Sequence, residues 1–321
     1  MMQLLVTGGS GFIGSNFARH VLTTSDDQVT ILDALTYAGN RANLADLEVD
    51  PRLRFVHGDI CDRELVASLM PGYDAVVHFA AESHVDRSIV APDAFVRTNC
   101  DGTNVLCDVA GRSEIQKFVH VSTDEVYGSI DTGSFTESSP LLPSSPYSAS
   151  KAGSDLIALA HHHTHGLPVV ITRSSNNYGP YQYPEKIIPL FVTNLLEGRT
   201  VPVYGDGLNV RDWCHVEDNC AAIDLVLRRG ATGEIYNIGA GHETTNLDLT
   251  HLVLAAMGKG PEAIEFVDDR LGHDRRYSLD ATRVRTLGWS PRRSLEEGIV
   301  QTVDWYRSHP EWWQPLRTNV A

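Results

Sequence analysis

The sequence contains no apolar run long enough to cross a bilayer, little sulfur and no cluster of cations. A membrane helix takes about 20 apolar residues, so a spanning segment is excluded. The five cysteines are Cys61, Cys100, Cys107, Cys214 and Cys220. Their number is odd and no two are separated by two residues, which speaks against a disulfide framework or a zinc ribbon. They read as reduced, mostly buried thiols in a cytoplasmic protein. Lys and Arg total 26 against 41 Asp and Glu, for a net charge of −15. Nucleic-acid partners need clustered cations, so they are excluded too. An anionic ligand must then be held by a few local cations against an unfavourable global field. No metal site is expected. The tract His161-His162-His163-Thr164-His165 has no spaced Cys or carboxylate partner. It reads as the last turn of a helix, where imidazoles favour the dipole and Gly166 supplies the stop.

What is present is alternation. Met1 to Val6 runs directly into a first strand without the basic flank of a signal peptide. Short apolar runs follow at Leu4–Thr7, Val29–Asp33, Leu53–His57, Ala75–Phe79, Phe118–Ser122 and Val169–Arg173. Helical patterns lie between most of them: Ile13–Leu22, Arg63–Met70, Pro92–Ala110 and Pro146–His163. Near-continuous apolar strands alternating with helices predict an α/β fold, a doubly wound parallel sheet of Rossmann type covered on both faces. After about Asn177 turn chemistry becomes frequent, as in Tyr204-Gly205-Asp206-Gly207, which predicts a smaller mixed C-terminal lobe. The expected division is 1–176 for a dinucleotide-binding domain and 177–321 for a substrate lobe. The segments Asn219–Arg228 and Glu234–Ile238 are candidates to return to the main sheet.

The segment Val6-Thr7-Gly8-Gly9-Ser10-Gly11-Phe12-Ile13-Gly14 follows a strand and opens a helix. Gly8 permits a tight turn, Gly11 lets backbone approach a pyrophosphate, and Gly14 lets the helix pack close to the sheet. The helix N-terminus offers N–H groups to phosphate. Asp33 ends the second strand, where a carboxylate accepts hydrogen bonds from an adenosine ribose and repels a 2′-phosphate. NAD is therefore the expected cofactor. Asp59 and Ile60 after the third strand, and Phe79, Ala80 and Ala81 after the fourth, are further expected contacts. Tyr147 and Lys151 stand four apart inside Pro146-Tyr147-Ser148-Ala149-Ser150-Lys151, on one helix face. An ammonium beside the phenol, with a cationic nicotinamide nearby, lowers its pKa, giving a base that removes a hydroxyl proton while hydride leaves carbon.

Together these motifs identify the chain as similar to the extended short-chain dehydrogenase/reductases. More narrowly it resembles the dTDP-glucose 4,6-dehydratases. The resemblance is carried by the glycine segment, Leu32 to Asn40, Ala80 to Ser88, Ser122 to Gly128, Tyr147 to Lys151 and Asn176 to Pro180. It implies C4 oxidation of a nucleotide sugar, loss of water across C5–C6, and hydride return to C6. Thr123-Asp124-Glu125 is the most diagnostic piece. A C4 ketone makes the C5 proton acidic, so elimination needs a base at C5 and an acid at C6. The resemblance assigns Glu125 as base and Asp124 as acid, with Thr123 and Tyr147 at the C4 oxygen. Asp124 must then stay protonated, through desolvation or the charge of Glu125.

For the substrate, the resemblance implies Arg211, Asn246, Arg270 and His273 around the nucleotide diphosphate, Asn177 near the glycosyl phosphate, and Tyr204 stacked on the pyrimidine. Lys186 and Arg275 are further candidate cations. Glu82, Ser83 and His84 are expected at the sugar, with Arg87 structural. The pair Trp312-Trp313 reads as packing of a terminal helix. Family members pair through two helices per subunit, so a homodimer through Pro92–Ala110 and Pro146–His163 is expected. A 4-epimerase or UDP-glucuronate decarboxylase would leave Asp124 unexplained, and a GDP-mannose dehydratase usually has no Asp there. A non-catalytic NAD-binding protein would be expected to lack the Tyr, the Lys or the acids.

Overall fold

The computed structural model describes residues 1–269 and 273–317. Strands β1 (Gln3–Thr7), β2 (Gln28–Asp33), β3 (Leu53–His57), β4 (Ala75–His78), β5 (Lys117–Thr123) and β6 (Val169–Ser174) form one sheet. Three shorter strands, β7 (Asn176–Tyr178), β8 (Val201–Tyr204) and β9 (Val210–His215), follow in the chain. Strand β10 (Ile235–Ile238) then returns beside β6, giving the order β10-β6-β5-β4-β1-β2-β3 with every neighbouring pair parallel. The last strands are β11 (Glu243–Thr245) and β12 (Ile264–Val267). They complete a three-stranded sheet β11-β9-β7 and a two-stranded sheet β12-β8. This is the Rossmann-type arrangement that the alternation predicts, with two smaller sheets beside it.

Burial follows the sequence pattern. On one face of the main sheet, Phe17 and Val21 of the Phe12–Thr24 helix meet Val216, Ile223 and Val226 of the Val216–Arg229 helix. On the other, Val66, Leu106 and Ala158 come from three further helices. A separate core gathers Phe191, Trp213, Leu249, Val253, Ile299 and Tyr306 around the C-terminal helices. Helix ends obey local chemistry. Ser145 and Ser148 form a capping box before Pro146, and Gly166 ends that helix at φ 71°.

The expected helix Pro92–Ala110 is not a regular one. It consists of Pro92–Phe95, a π-helical segment Val96–Gly102, and Thr103–Ala110. The wide turn lets Asn99 face inward. Its Oδ1 accepts from Glu82 N at 2.9 Å, and its Nδ2 donates to Ser150 Oγ at 2.8 Å. Inserted turns of this kind often occur at functional sites. Among the described residues no helix is long and apolar enough to cross a membrane. Cys107, Cys214 and Cys220 are buried thiols, whereas Cys61 and Cys100 are half-buried.

The register levels the strand ends along one edge. Thr7 aligns with Leu32 and His78, Asp33 with His57, and Thr123 with Ser174. The chain moves outward from β1 one way to β3 and the other way from β4 to β10. Ligand crevices of open α/β sheets open at such a reversal.

Candidate active site

A cleft of about 520 Å³ opens at that edge. Gly8, Gly11, Phe12, Ile13, Gly14, Asp33, Asp59, Ile60, Phe79, Ala80 and Ala81 all line it. Gly8 has φ +71°, and a Cβ there would lie 2.5 Å from Ala80 N, so the turn admits no larger residue. A Cβ on Gly14 would collide with the Gly8 carbonyl. Asp33 is buried and fixed, its Oδ2 accepting from Ser10 N and its Oδ1 from Leu35 N, each at 2.8 Å. These features fit a dinucleotide: a backbone cradle that no side chain obstructs, followed by an oriented acid.

Thr123, Asp124, Glu125, Tyr147 and Lys151 line the same cleft. Thr123 ends β5 and caps a 3₁₀ turn over Asp124–Tyr127, its Oγ1 accepting from Glu125 N at 3.3 Å. The turn drives Asp124 inward. Thr123 Oγ1 donates to Asp124 Oδ1 at 3.2 Å, and the buried Asp124 Oδ2 has no protein partner. Burial first, then the charge of Glu125, pushes the Asp124 carboxyl well above the usual range, against opposition from Thr123 and Arg211. That position favours the protonated, neutral form of the carboxyl far more than an exposed one would.

Tyr147 and Lys151 are both buried in the cleft wall. Burial and then Glu125 raise the Tyr147 phenol well above its ordinary value. The Lys151 ammonium donates to Val121 O at 2.9 Å, and burial lowers its pKa to about 8. Four-residue spacing puts both side chains on one helix face, yet the ammonium is drawn to a sheet carbonyl rather than to the phenol.

The expected substrate residues fall into two groups. Ser83, Asn177 and Lys186 line the cleft with Glu82, and the Lys186 ammonium donates to Ser83 O at 3.2 Å. Tyr204, Arg211, Asn246 and His273 are not among the cleft-lining side chains. Tyr204 meets His273 edge-on at 6.4 Å, and His273 pairs with Asp269. Asn246 opens the Asn246–Met257 helix, its N–H donating to Asn209 O. Arg211 is buried against the Tyr277 ring at 4.1 Å and donates to Asp274 O. It stands close enough to Asp124 to oppose that residue's shift. Arg275 is paired with Asp206 at the surface. Arg270 lies outside the described residues.

Several further residues line the cleft that the sequence reading does not single out, among them Tyr37, Tyr183 and Glu185. Arg87 stacks over Tyr37 at 4.0 Å and pairs with Glu185, as does His84. Glu185 directly precedes Lys186, and that adjacency is the one sequence cue to it. Asn43 and Trp312 also line the cleft, and nothing in their local sequence announces it.

The sequence model of the GDP-mannose 4,6 dehydratase family matches residues 5–302. The chain belongs to that family. It is 58% identical to a dTDP-glucose 4,6-dehydratase of Streptomyces antibioticus, over 100% of this chain and 97% of that protein. It is 56% identical to one of Streptomyces niveus, over 99% and 96%. A dTDP-glucose 4,6-dehydratase of Streptomyces venezuelae, solved with NAD bound, superposes with a TM-score of 0.96 at 58% identity, over 98% of this chain and 100% of that one.

Proposed function

We propose that this chain converts dTDP-glucose to dTDP-4-keto-6-deoxyglucose with NAD as its resident cofactor. The observation that carries the reading is Asp124: a buried carboxyl, its pKa raised, with one unpartnered oxygen beside a second acid. An epimerase expels no C6 hydroxyl, so such a group would have no task there. The glycine cradle suits the pyrophosphate of NAD and Asp33 its adenosine ribose. The chemistry a bound NAD supplies is hydride transfer, out of C4 and back to C6.

The protein's own groups handle the protons. Tyr147 takes the C4 hydroxyl proton, with Thr123 orienting the oxygen. Since burial and then Glu125 hold the proton on its phenol, a cation must first stand against it, and Lys151, one helical turn on, is the protein's own source. Glu125 removes the C5 proton made acidic by the C4 ketone. Asp124 gives its proton to the departing C6 oxygen, and water leaves. Glu125 then returns a proton to C5 as hydride reaches C6. Ser83, Asn177 and Lys186 hold the sugar and its phosphate, while Tyr204, Arg211, Asn246, Arg270 and His273 hold the nucleotide.

Incubation with dTDP-glucose in deuterated water tests this by mass spectrometry. A product lacking one water and carrying one solvent deuterium at C5 is expected. Turnover of a UDP or GDP sugar in its place would overturn the substrate, and no turnover of any nucleotide sugar would overturn the enzyme.

We also infer a homodimer through the helices near Pro92–Ala110 and Pro146–His163. Val96 and Leu156 support it, being apolar side chains left 52% and 58% exposed on those helices. A cytoplasmic location accords with five unpaired thiols.

A further inference from the structure

The aromatic pair near the C-terminus does more than pack. Trp312 Nε1 donates to Asn43 Oδ1 at 2.8 Å, across 269 residues of chain. Asn43 Nδ2 in turn donates to Ser10 O at 2.8 Å. Ser10 sits inside the glycine segment, and its N–H donates to Asp33 Oδ2. Trp312, Asn43 and Ser10 are all buried, at 9%, 2% and 0% exposure. Trp312, Asn43 and Asp33 all line the cleft. The other side of the Pro310–Arg317 helix is anchored elsewhere. Trp313 Nε1 donates to Tyr306 O, and Arg317 donates to Thr193 Oγ1 and Asn194 Oδ1.

We infer that the Pro310–Arg317 helix is a strap on the cofactor loop, with Trp312 acting through Asn43 to hold Ser10 and so slow the release of NAD. The inference rests on the NAD reading above. The chemistry gives the strap a purpose. A hydride removed from C4 must return to the same sugar, so a cofactor lost in mid-cycle strands the intermediate. An indole N–H is a donor only, and an amide is both donor and acceptor, so Asn43 can bridge Trp312 to Ser10 with both of its polar atoms satisfied. Trp312 and Asn43 are positioning residues in this account.

The test is the rate at which the holoenzyme exchanges bound NAD for labelled NAD. Trp312→Phe keeps a ring in place and removes the donor. It is expected to speed release about fivefold, the effect of one buried hydrogen bond. Asn43→Ala is expected to speed it at least as much. The double variant should release NAD no faster than Asn43→Ala alone, because both changes cut the same connection. Unchanged release in Trp312→Phe overturns the strap, and so do single effects that multiply in the double variant. If Asn43→Ala does not fold, Trp312→Phe decides alone: faster release at an unchanged melting temperature supports the strap, and a lowered melting temperature with unchanged release overturns it. Wild-type protein that binds no NAD would sink the cofactor reading itself, an outcome distinct from both.

Discussion

Asp124 and Glu125 are adjacent in sequence, yet Asp124 is buried and Glu125 half-buried. Their division of labour predicts different failures. Asp124→Asn should slow water loss about a hundredfold while sparing C4 oxidation, as rapid-quench analysis of the intermediates would reveal. Because burial and Glu125 raise the Asp124 pKa and so favour its acid form, elimination in the wild type should fall as pH rises through that pKa. The Asn variant should lack this alkaline limb. Glu125→Gln should oxidise C4 and stall there. Rapid deuterium exchange at C5 in that variant would contradict its role. The motif residues were legible because spacing along one strand end or one helix face fixes them. What spacing could not give is direction: it set Tyr147 near Lys151, but not that Val121 O would take the ammonium. Nor could it join Trp312 to Asn43, since no local pattern spans so much chain.

The Pro146–His165 helix and the sheet are joined by a buried charge network. Arg173 Nε on β6 donates to Asp155 Oδ2 at 2.8 Å, and its NH1 donates to the Tyr127 hydroxyl at 2.8 Å. His120 on β5 lies 3.2 Å from Asp155 Oδ1. Tyr127 closes the turn that carries Asp124. Asp155→Asn would leave Arg173 as an uncompensated buried cation, expected to cost about 3 kcal/mol in urea unfolding. His120 and Arg173 help hold the Asp155 pKa at about 2 against an ordinary 3.8. A lowered acid pKa stabilises the fold above the unfolded value. That contribution should disappear as pH falls from 3.8 through about 2, so the variant and wild type should converge in stability there. The main strands were readable because they are apolar on both faces. The π-helical turn was not, since one extra residue leaves the apolar period of Thr103–Ala110 nearly unchanged.

At the scale of the molecule, the parallel sheet gathers six strand ends into one crevice, and the C-terminal core adds Trp312 to its wall. The main sheet followed from alternation; the smaller sheets did not, because strands of three or four residues such as β7 and β11 carry too little pattern. Leu156→Arg, on the outer side of the Pro146–His165 helix, is expected to shift a dimer toward monomer in light scattering. A wild-type monomer at high concentration would rule out the pairing. The position of Trp312 in the cleft wall has an optical side as well. Indole emission overlaps the absorption of a reduced nicotinamide, and Trp305 lies only 5.0 Å from Trp312, ring to ring. The protein's own fluorescence should therefore dim when hydride leaves the sugar and brighten when it returns, so that each turnover is visible without a label.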